Sequence, residues 1–508
     1  VKKIIISLFL MSFFLVSALP ASAAVKKENR LWQDESIYSI MIDRFNDGDV
    51  KNDVDVNTKN PVAYNGGDFQ GIIDKLDYIH DMGFTAIRLT PIFDNAVNGY
   101  HGYWVNDFYK TEEHFGSIKT FQKLVNEAHK RKMKVLIDFV ANNVAESNPW
   151  VNDSSKQNWF HPKKDVQDGN NQQDLENGWV NGLPDLNQDN PDVKKYLIDA
   201  AKWWIKKTDI DGYSLPEVNY VPVSFWSDFS KEVKQEKKNF FLLGVMDKNT
   251  PADLKKYEDA GIDSMFNYPL SSDLRGAFAN TDQSFSTLYS DSKRDLNQSK
   301  NPYLLANFMD NENTVRFTRD IVDKKQFPGA RWEMALTYLY TTPGIPVVYY
   351  GSEIALNGGD IPDNRKQMNF RADKDLIDYI TKLGELRNQL PSLTRGTFEM
   401  LYERNGMAVY KRYYKGETAI IAINNTEKSQ NVTLTDKQIE GGKELRGLFG
   451  GDLVPSKNNK YTIILDRDKA EIYVLAKKGG LNIPLIVSLV VVYLLFVLFL
   501  IKVKKRKK

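Results

Sequence analysis

Asp47-Gly48-Asp49 followed by Asn52-Asp53 crowds side-chain oxygens into one short polar loop. Such a cluster suits a hard divalent cation, because calcium takes six to eight oxygen ligands. The alternative is a solvated loop of Asx turns. A second polar concentration, from 143 to 190, is rich in Asn, Asp and Gln and carries Trp150, Trp159 and Trp179. Tryptophans in that setting either form a platform for a sugar or fill the core of a small subdomain. The chain has no cysteine, which removes disulfides, iron–sulfur clusters, Cys-ligated zinc and thiol catalysis. Its 508 residues carry a net charge of +2, but the two ends hold only basic residues. The body between them is mildly acidic, which argues against nucleic acid as a partner.

These groups need elements to hold them. Strand-like apolar segments recur at Ile37–Ile42, Ala86–Ile92, Lys134–Asn142, Asp211–Val218, Phe240–Met246, Ser264–Pro269, Tyr303–Asn311 and Ile345–Glu353. Amphipathic helices lie between most of them, such as Phe69–Met82 and Ile118–Arg131, the latter with Ser117 as N-cap. Eight such units predict an α/β fold, a TIM-type parallel (β/α)8 barrel whose polar clusters sit at the C-terminal ends of the strands. The barrel would occupy 25–142 and 191–390, with 143–190 inserted after the third strand. From 391 to 478 the pattern changes to short alternating runs, Ala408–Tyr413, Thr418–Ile423 and Ala470–Leu475, which predict an antiparallel β domain.

Two terminal segments suggest a location. Residues 1–24 have a basic start, an apolar run from Ile4 to Leu19 and then Ala21-Ser22-Ala23, the layout of a cleaved secretory signal peptide. Residues 483–501 contain no charge and are long enough to span a bilayer, and 502–508 form a basic tail expected to stay in the cytoplasm. The expectation is a single-pass protein of the cell membrane with its body outside.

Several motifs then point one way: Ile37-Tyr38 with Asp43-Arg44-Phe45, Gly66-Gly67-Asp68-Phe69-Gln70-Gly71, Gly99-Tyr100-His101-Gly102-Tyr103-Trp104, Gly182-Leu183-Pro184-Asp185-Leu186-Asn187, and Gly344-Ile345-Pro346 with Tyr349-Tyr350-Gly351. With them the chain resembles the α-amylase family, glycoside hydrolase family 13, nearly end to end. The resemblance implies a barrel, a domain B after strand three and a C-terminal β-sandwich. It also implies retaining hydrolysis of α-glucosidic bonds by a nucleophilic carboxylate and an acid/base carboxyl about 5 Å apart, with a third carboxylate on the sugar.

This sequence departs from the family at those very slots. The nucleophile slot, in Asp211-Gly212-Tyr213-Ser214-Leu215-Pro216, is Pro216, and the arginine slot is Ser214. The acid/base slot is Val245, by replacement or by deletion of the Glu, and the third carboxylate slot is Asn313, with Glu312 where the family has His. Asn143 also stands in a His slot. Four carboxylates lie near the same rim as relocated candidates: Glu217, Asp247, Asp310 and Glu312. Glu217 follows Pro216 directly, so it is expected to face away unless the proline breaks the strand. Without the acids, general acid–base catalysis worth roughly 10²–10⁴ in rate is missing along with the covalent route.

Other family positions are kept. Asp47, Asp49, Asn52, Asp53, Asp68 and the backbone of Gly66 match one structural calcium site, and Asn142, Asp185 and the Tyr220 carbonyl match part of a second. His101, Tyr103, Trp104 and Arg365 match residues lining the central sugar subsite, although His101 also suits a scaffold role, and an extra residue shifts the partner Asp363. The expected function is therefore an α-glucan- or glycan-binding pseudoenzyme tethered to the membrane. Two alternatives stand beside it. One is an active hydrolase using relocated carboxylates. The other is a scaffold ectodomain for a protein partner, an arrangement similar to the heavy chains of heteromeric amino-acid transporters.

Overall fold

The computed structural model describes residues 29–247 and 250–478, with Tyr493 and Phe496. The leader at 1–24, most of the apolar run at 483–501 and the tail at 502–508 lie outside the described residues. Among the described residues no helix is long and apolar enough to cross a membrane.

Eight parallel strands form the centre: β1 (Ile37–Ile40), β2 (Ala86–Leu89), β3 (Lys134–Asp138), β4 (Gly212–Leu215), β5 (Phe241–Gly244), β6 (Ser264–Met265), β7 (Ala306–Phe308) and β8 (Ile345–Tyr349). They pair in sequence from β1 to β6, and β1 also pairs with β8, which pairs with β7. A bridge between Phe266 and Ala306 closes the ring. Every residue of these strands is buried except Lys134, as a barrel filled inside and covered outside by helices requires. The covering helices follow their apolar stripes. Helix Ile118–Lys130 buries Phe121, Leu124, Val125 and Ala128, and Ser117 Oγ accepts from Thr120 N at 3.1 Å as its cap.

All eight predicted strands are present, each shorter at its C-terminal end. The predicted tails become the loops of the barrel mouth: the chain turns into a short helix, Ile42–Phe45, straight after β1. An antiparallel hairpin, Phe93–Asn95 with Val105–Thr111, was not predicted. Its pairing is irregular, so it shows no clean two-residue alternation, yet its loop lifts His101, Tyr103 and Trp104 to the mouth.

The insertion after β3 is built from turns and short helices tied by bridges Asn143–Asp185, Phe160–Leu186 and Asp165–Trp179. Trp150 packs edge-on against Trp159 (4.9 Å) and Tyr196 (4.7 Å), so these rings serve as subdomain core. Trp179 donates from Nε1 to the His161 carbonyl at 3.1 Å. The C-terminal domain has a six-stranded sheet facing a two-stranded one, Gln430–Thr435 with Lys460–Leu465, over a core of its own.

Helix Tyr268–Phe278 braces the mouth, since its Arg275 donates to the Met309 carbonyl (3.0 Å) and to Asp310 (3.2 Å) beyond β7. Behind it, Arg294 is shared by Asp291 (2.6 Å) and Asp295 (3.0 Å). Burial, then the nearby Asp273 carboxyl, push Asp291 up to about 7. A carboxyl raised in this way costs stability as pH climbs from its unfolded value near 4 to about 7. Asp291→Asn is therefore expected to gain on the order of 1–2 kcal/mol at pH 8 and little at pH 4, read by thermal unfolding at the two pH values.

Candidate active site

At the mouth, Arg88 rises from β2 into the centre of the barrel with 1% of its surface exposed. Its Nε donates to Asp138 Oδ1 (2.8 Å) and Ser214 Oγ (3.0 Å). One terminal nitrogen donates to Ser39 Oγ (3.0 Å) and Glu312 Oε2 (2.9 Å), and the other to Asp138 Oδ2 (2.6 Å) and Glu312 Oε1 (2.7 Å). One guanidinium thus forks onto two carboxylates, 0% and 2% exposed, and cross-links β1, β2, β3, β4 and the loop after β7. Two negative charges share one positive, so the pair titrates as a unit. Burial opposes ionisation of Glu312, but the charge and hydrogen bonds of Arg88 overcome it and leave Glu312 at about 2. Burial outweighs Arg88 at Asp138, which is pushed up to about 6. Glu312 is therefore an anchored anion and cannot donate a proton near neutrality.

Tyr103 closes over this triad. Its hydroxyl lies 2.8 Å from Asp138 Oδ2 and 3.2 Å from Glu312 Oε1, within hydrogen-bonding reach of both, while its ring stays half-buried at the rim. Its N–H donates to His101 Nδ1 at 3.1 Å, so that nitrogen is an acceptor and the proton sits on Nε2. Burial, followed by Arg365 and Arg44, lowers His101 to about 3, which keeps it neutral. Arg365 donates to the Glu312 carbonyl (2.9 Å) and to Asn313 Oδ1 (3.3 Å). Asp363 points elsewhere, accepting from Gly359 N and pairing with Lys366 at 2.8 Å. The predicted sugar residues His101, Tyr103, Trp104 and Arg365 do meet at one mouth, but His101 and Arg365 are each only 8% exposed.

Pro216 and Val245, read from the sequence as the nucleophile and acid/base slots, make main-chain and apolar contacts. β4 ends at Leu215, and Pro216 lies just beyond it. Val245 N donates to the Leu215 carbonyl (2.9 Å), and the Val245 carbonyl accepts from Val218 N (3.0 Å). The Val245 side chain packs with Phe241, Phe266 and Phe308 in an apolar cluster. Asp310 is wholly occupied by Phe317 N (2.7 Å), Arg275 and Ser352.

Glu217 departs from the facing-away expectation because the strand stops before it. It takes a left-handed backbone, φ 53°, and reaches solvent at the mouth. The crowding of protein around it, then the Asp247 carboxylate, push it up to about 7, a direction that its contact with water moderates. Asp247 is exposed and within hydrogen-bonding reach of the Tyr268 hydroxyl. Of the four relocated candidates, only Glu217 and Asp247 lie outside the buried ion pairs.

The residues expected from the sequence to hold calcium have the chemistry to hold a cation at both places. In the first loop Asn52 Oδ1 and Asp53 Oδ1 are buried without a hydrogen-bond partner among the described residues. Burial and then the neighbouring acids raise Asp47 and Asp53 together, with His114 opposing the rise at Asp53. Asp68 caps helix Phe69–Asp81 through Gly71 N (2.6 Å) and holds Asp49 N (2.8 Å), which folds the loop back. Gly66 has φ 94°, and a Cβ there would sit 3.1 Å from Asp53 Oδ1. His114 steadies the loop, meeting the Val54 carbonyl at 2.7 Å and accepting from Asn52 at 2.9 Å. In the second place the Asn142 carboxamide ends 2.8 Å from the Tyr220 carbonyl oxygen and 3.0 Å from Asp185 Oδ1. Presenting NH2, it donates to both; presenting oxygen, it completes a three-oxygen cluster of the kind calcium holds. Burial pushes Asp185 up to about 7 against the 2.6 Å contact with His161.

The residue that sequence reasoning missed is Arg88. The signal was there: Ala86-Ile87-Arg88-Leu89 places a charge in a strand that must be buried on both faces.

Comparison with known proteins agrees with this architecture. The α-amylase catalytic-domain family matches residues 39–382, and the α-amylase C-terminal-domain family matches 396–473. The "Beta/alpha-amylase" of Paenibacillus polymyxa is 35% identical over 471 residues, covering 88% of this chain but only 38% of that protein. A cyclomaltodextrinase of Thermoanaerobacter pseudethanolicus is 31% identical over 81% of this chain and 73% of its own length. Among solved structures, an Anoxybacillus α-amylase superposes with TM-score 0.88 at 58% identity, covering 89% of this chain and all of that one. An α-amylase from Geobacillus thermoleovorans complexed with acarbose gives 0.86 at 53% identity, with the same coverage. The chain belongs to the α-amylase family.

Proposed function

We propose that this chain binds α-glucan without hydrolysing it, held outside the cell by the apolar segment 483–501 with calcium in its two oxygen-rich loops. The observation that carries this reading is the triad. The carboxylate nearest the lost third slot, Glu312, is neutralised by Arg88, while Pro216 and Val245 leave the nucleophile and acid positions without a reactive group. The rim residues His101, Tyr103, Trp104 and Arg365 support sugar contact, as does the acarbose complex of the Geobacillus relative. Calcium would be held by Asp47, Asp49, Asn52, Asp53, Gly66 and Asp68, and by Asn142, Asp185 and Tyr220. Its contribution is to neutralise and fix loops.

Titrating maltoheptaose into the calcium-loaded protein is expected to give saturating heats with no shortened maltodextrin in the recovered solution. No heat at all would favour a scaffold for a protein partner. A sustained heat rate with shorter products would favour hydrolysis through Glu217 and Asp247. A specific observation speaks for that second reading: Glu217 and Asp247 both reach solvent at the mouth, and the protein around Glu217 and then the Asp247 charge raise it. Glu217→Gln would then abolish the turnover. The membrane assignment is tested by fractionating cells, where deletion of 483–508 should move the protein from the membrane to the medium.

A further inference from the structure

The centre of a glycan cleft normally offers open hydrogen-bonding groups to sugar hydroxyls. Here those groups are already spent on one another. All five N–H groups of Arg88 face protein acceptors, and both oxygens of Asp138 and of Glu312 accept from Arg88. The Tyr103 hydroxyl completes the set from above. Ser214 makes the arrangement possible. It is fully buried, and its short side chain both leaves room for the guanidinium and accepts from Nε at 3.0 Å. Among the described residues the rim still offers a ligand the half-buried rings of Tyr103 and Trp104, along with the exposed Glu217 and Asp247.

We propose that Arg88 determines what this cleft admits: its guanidinium fills the central subsite from within, so an α-glucan lies along the rim and no glucose ring enters the centre. This deepens the α-glucan-binding reading and rests on it. A ring could enter only by displacing charged hydrogen bonds that are fully sealed from water, and a neutral sugar has no charge to replace them. The selectivity that follows favours long chains over compact ligands, because only a long chain gathers enough rim contacts.

The test uses the full chain with calcium and two probes, maltoheptaose and acarbose, measured by calorimetry. Two opened variants are compared with the native protein. R88A/E312Q removes one charge of each sign and keeps Asp138 with Tyr103 and Ser214. R88A/D138N also removes one charge of each sign but keeps Glu312 instead, so it guards against a variant that fails to fold, and cooperative thermal unfolding certifies each. The native protein is expected to bind maltoheptaose and to bind acarbose at least tenfold more weakly than the opened variants do. Equal acarbose affinity in native and opened proteins overturns the proposal. If native protein binds neither probe while the opened variants gain acarbose, closure by Arg88 stands and the rim-binding reading fails. If none of the proteins binds either probe, both fail.

Discussion

Replacing Arg88 by methionine is expected to lower the free energy of unfolding by about 3–5 kcal/mol, the range seen when one partner of a buried ion pair is removed. The substitution leaves Asp138 and Glu312 facing each other in a site sealed from water, with hydroxyls and one main-chain N–H at Glu312 as the remaining donors. The triad is not itself proof of stability, since desolvating three charges cancels much of their attraction. The loss comes from orphaning the carboxylates. Removing Glu312's charge as well, in R88M/E312Q, is thus expected to recover a substantial part of it. Urea unfolding at pH 7, with an unchanged denaturant slope, measures both. A loss under about 1 kcal/mol for R88M would mean that water enters the centre and takes over the guanidinium's role. The acid limb gives a second reading. Glu312 sits at about 2 when folded against an ordinary 4.5, so its contribution is complete above about pH 4.5 and lost as pH falls through about 2. R88M should flatten that limb.

The barrel was legible because its signals are local and repeated. Eight apolar segments separated by amphipathic helices leave few other folds, and the structure returns every one of those strands. The mouth was legible only as a list of residue types. Pro216 and Val245 could be read as empty slots, but whether Glu217 pointed in or out depended on where β4 stops, and it stops at Leu215. Arg88 escaped for a different reason: its partners lie 50, 126 and 224 residues away, on two other strands and in the loop after β7. No sequence period connects them; only closure of the barrel does. The tryptophans of the insertion were open to two readings for the same cause, since Trp150 becomes core only when Tyr196 of a later helix packs against it.

Chelation should produce the largest change of state without a mutation. Removing calcium with excess EGTA is expected to cost about 2.7–4.1 kcal/mol at metal concentrations 100 to 1,000 times the dissociation constant, because an ion that binds only the folded chain stabilises it by mass action. The stabilisation would come from the first loop, where Asp47, Asp49, Asp53 and Asp68 gather near the buried, unbonded oxygens of Asn52 and Asp53. Burial first, then repulsion among these neighbouring acids, raises both Asp47 and Asp53. This gives a sign test that a generic stabilising salt effect cannot imitate. Asp53→Asn should lower the melting temperature in calcium, because a charged ligand is lost. It should raise or leave unchanged the melting temperature in EGTA, because a repelling charge is lost. Asp185→Asn applies the same logic to the second place, where its carboxylate meets Asn142 and the Tyr220 carbonyl. Variants that lose stability equally with and without calcium would show that both loops are held by hydrogen bonds alone. Magnesium in place of calcium sharpens the result, since it demands near-octahedral geometry at shorter distances and should rescue a seven- or eight-oxygen loop poorly.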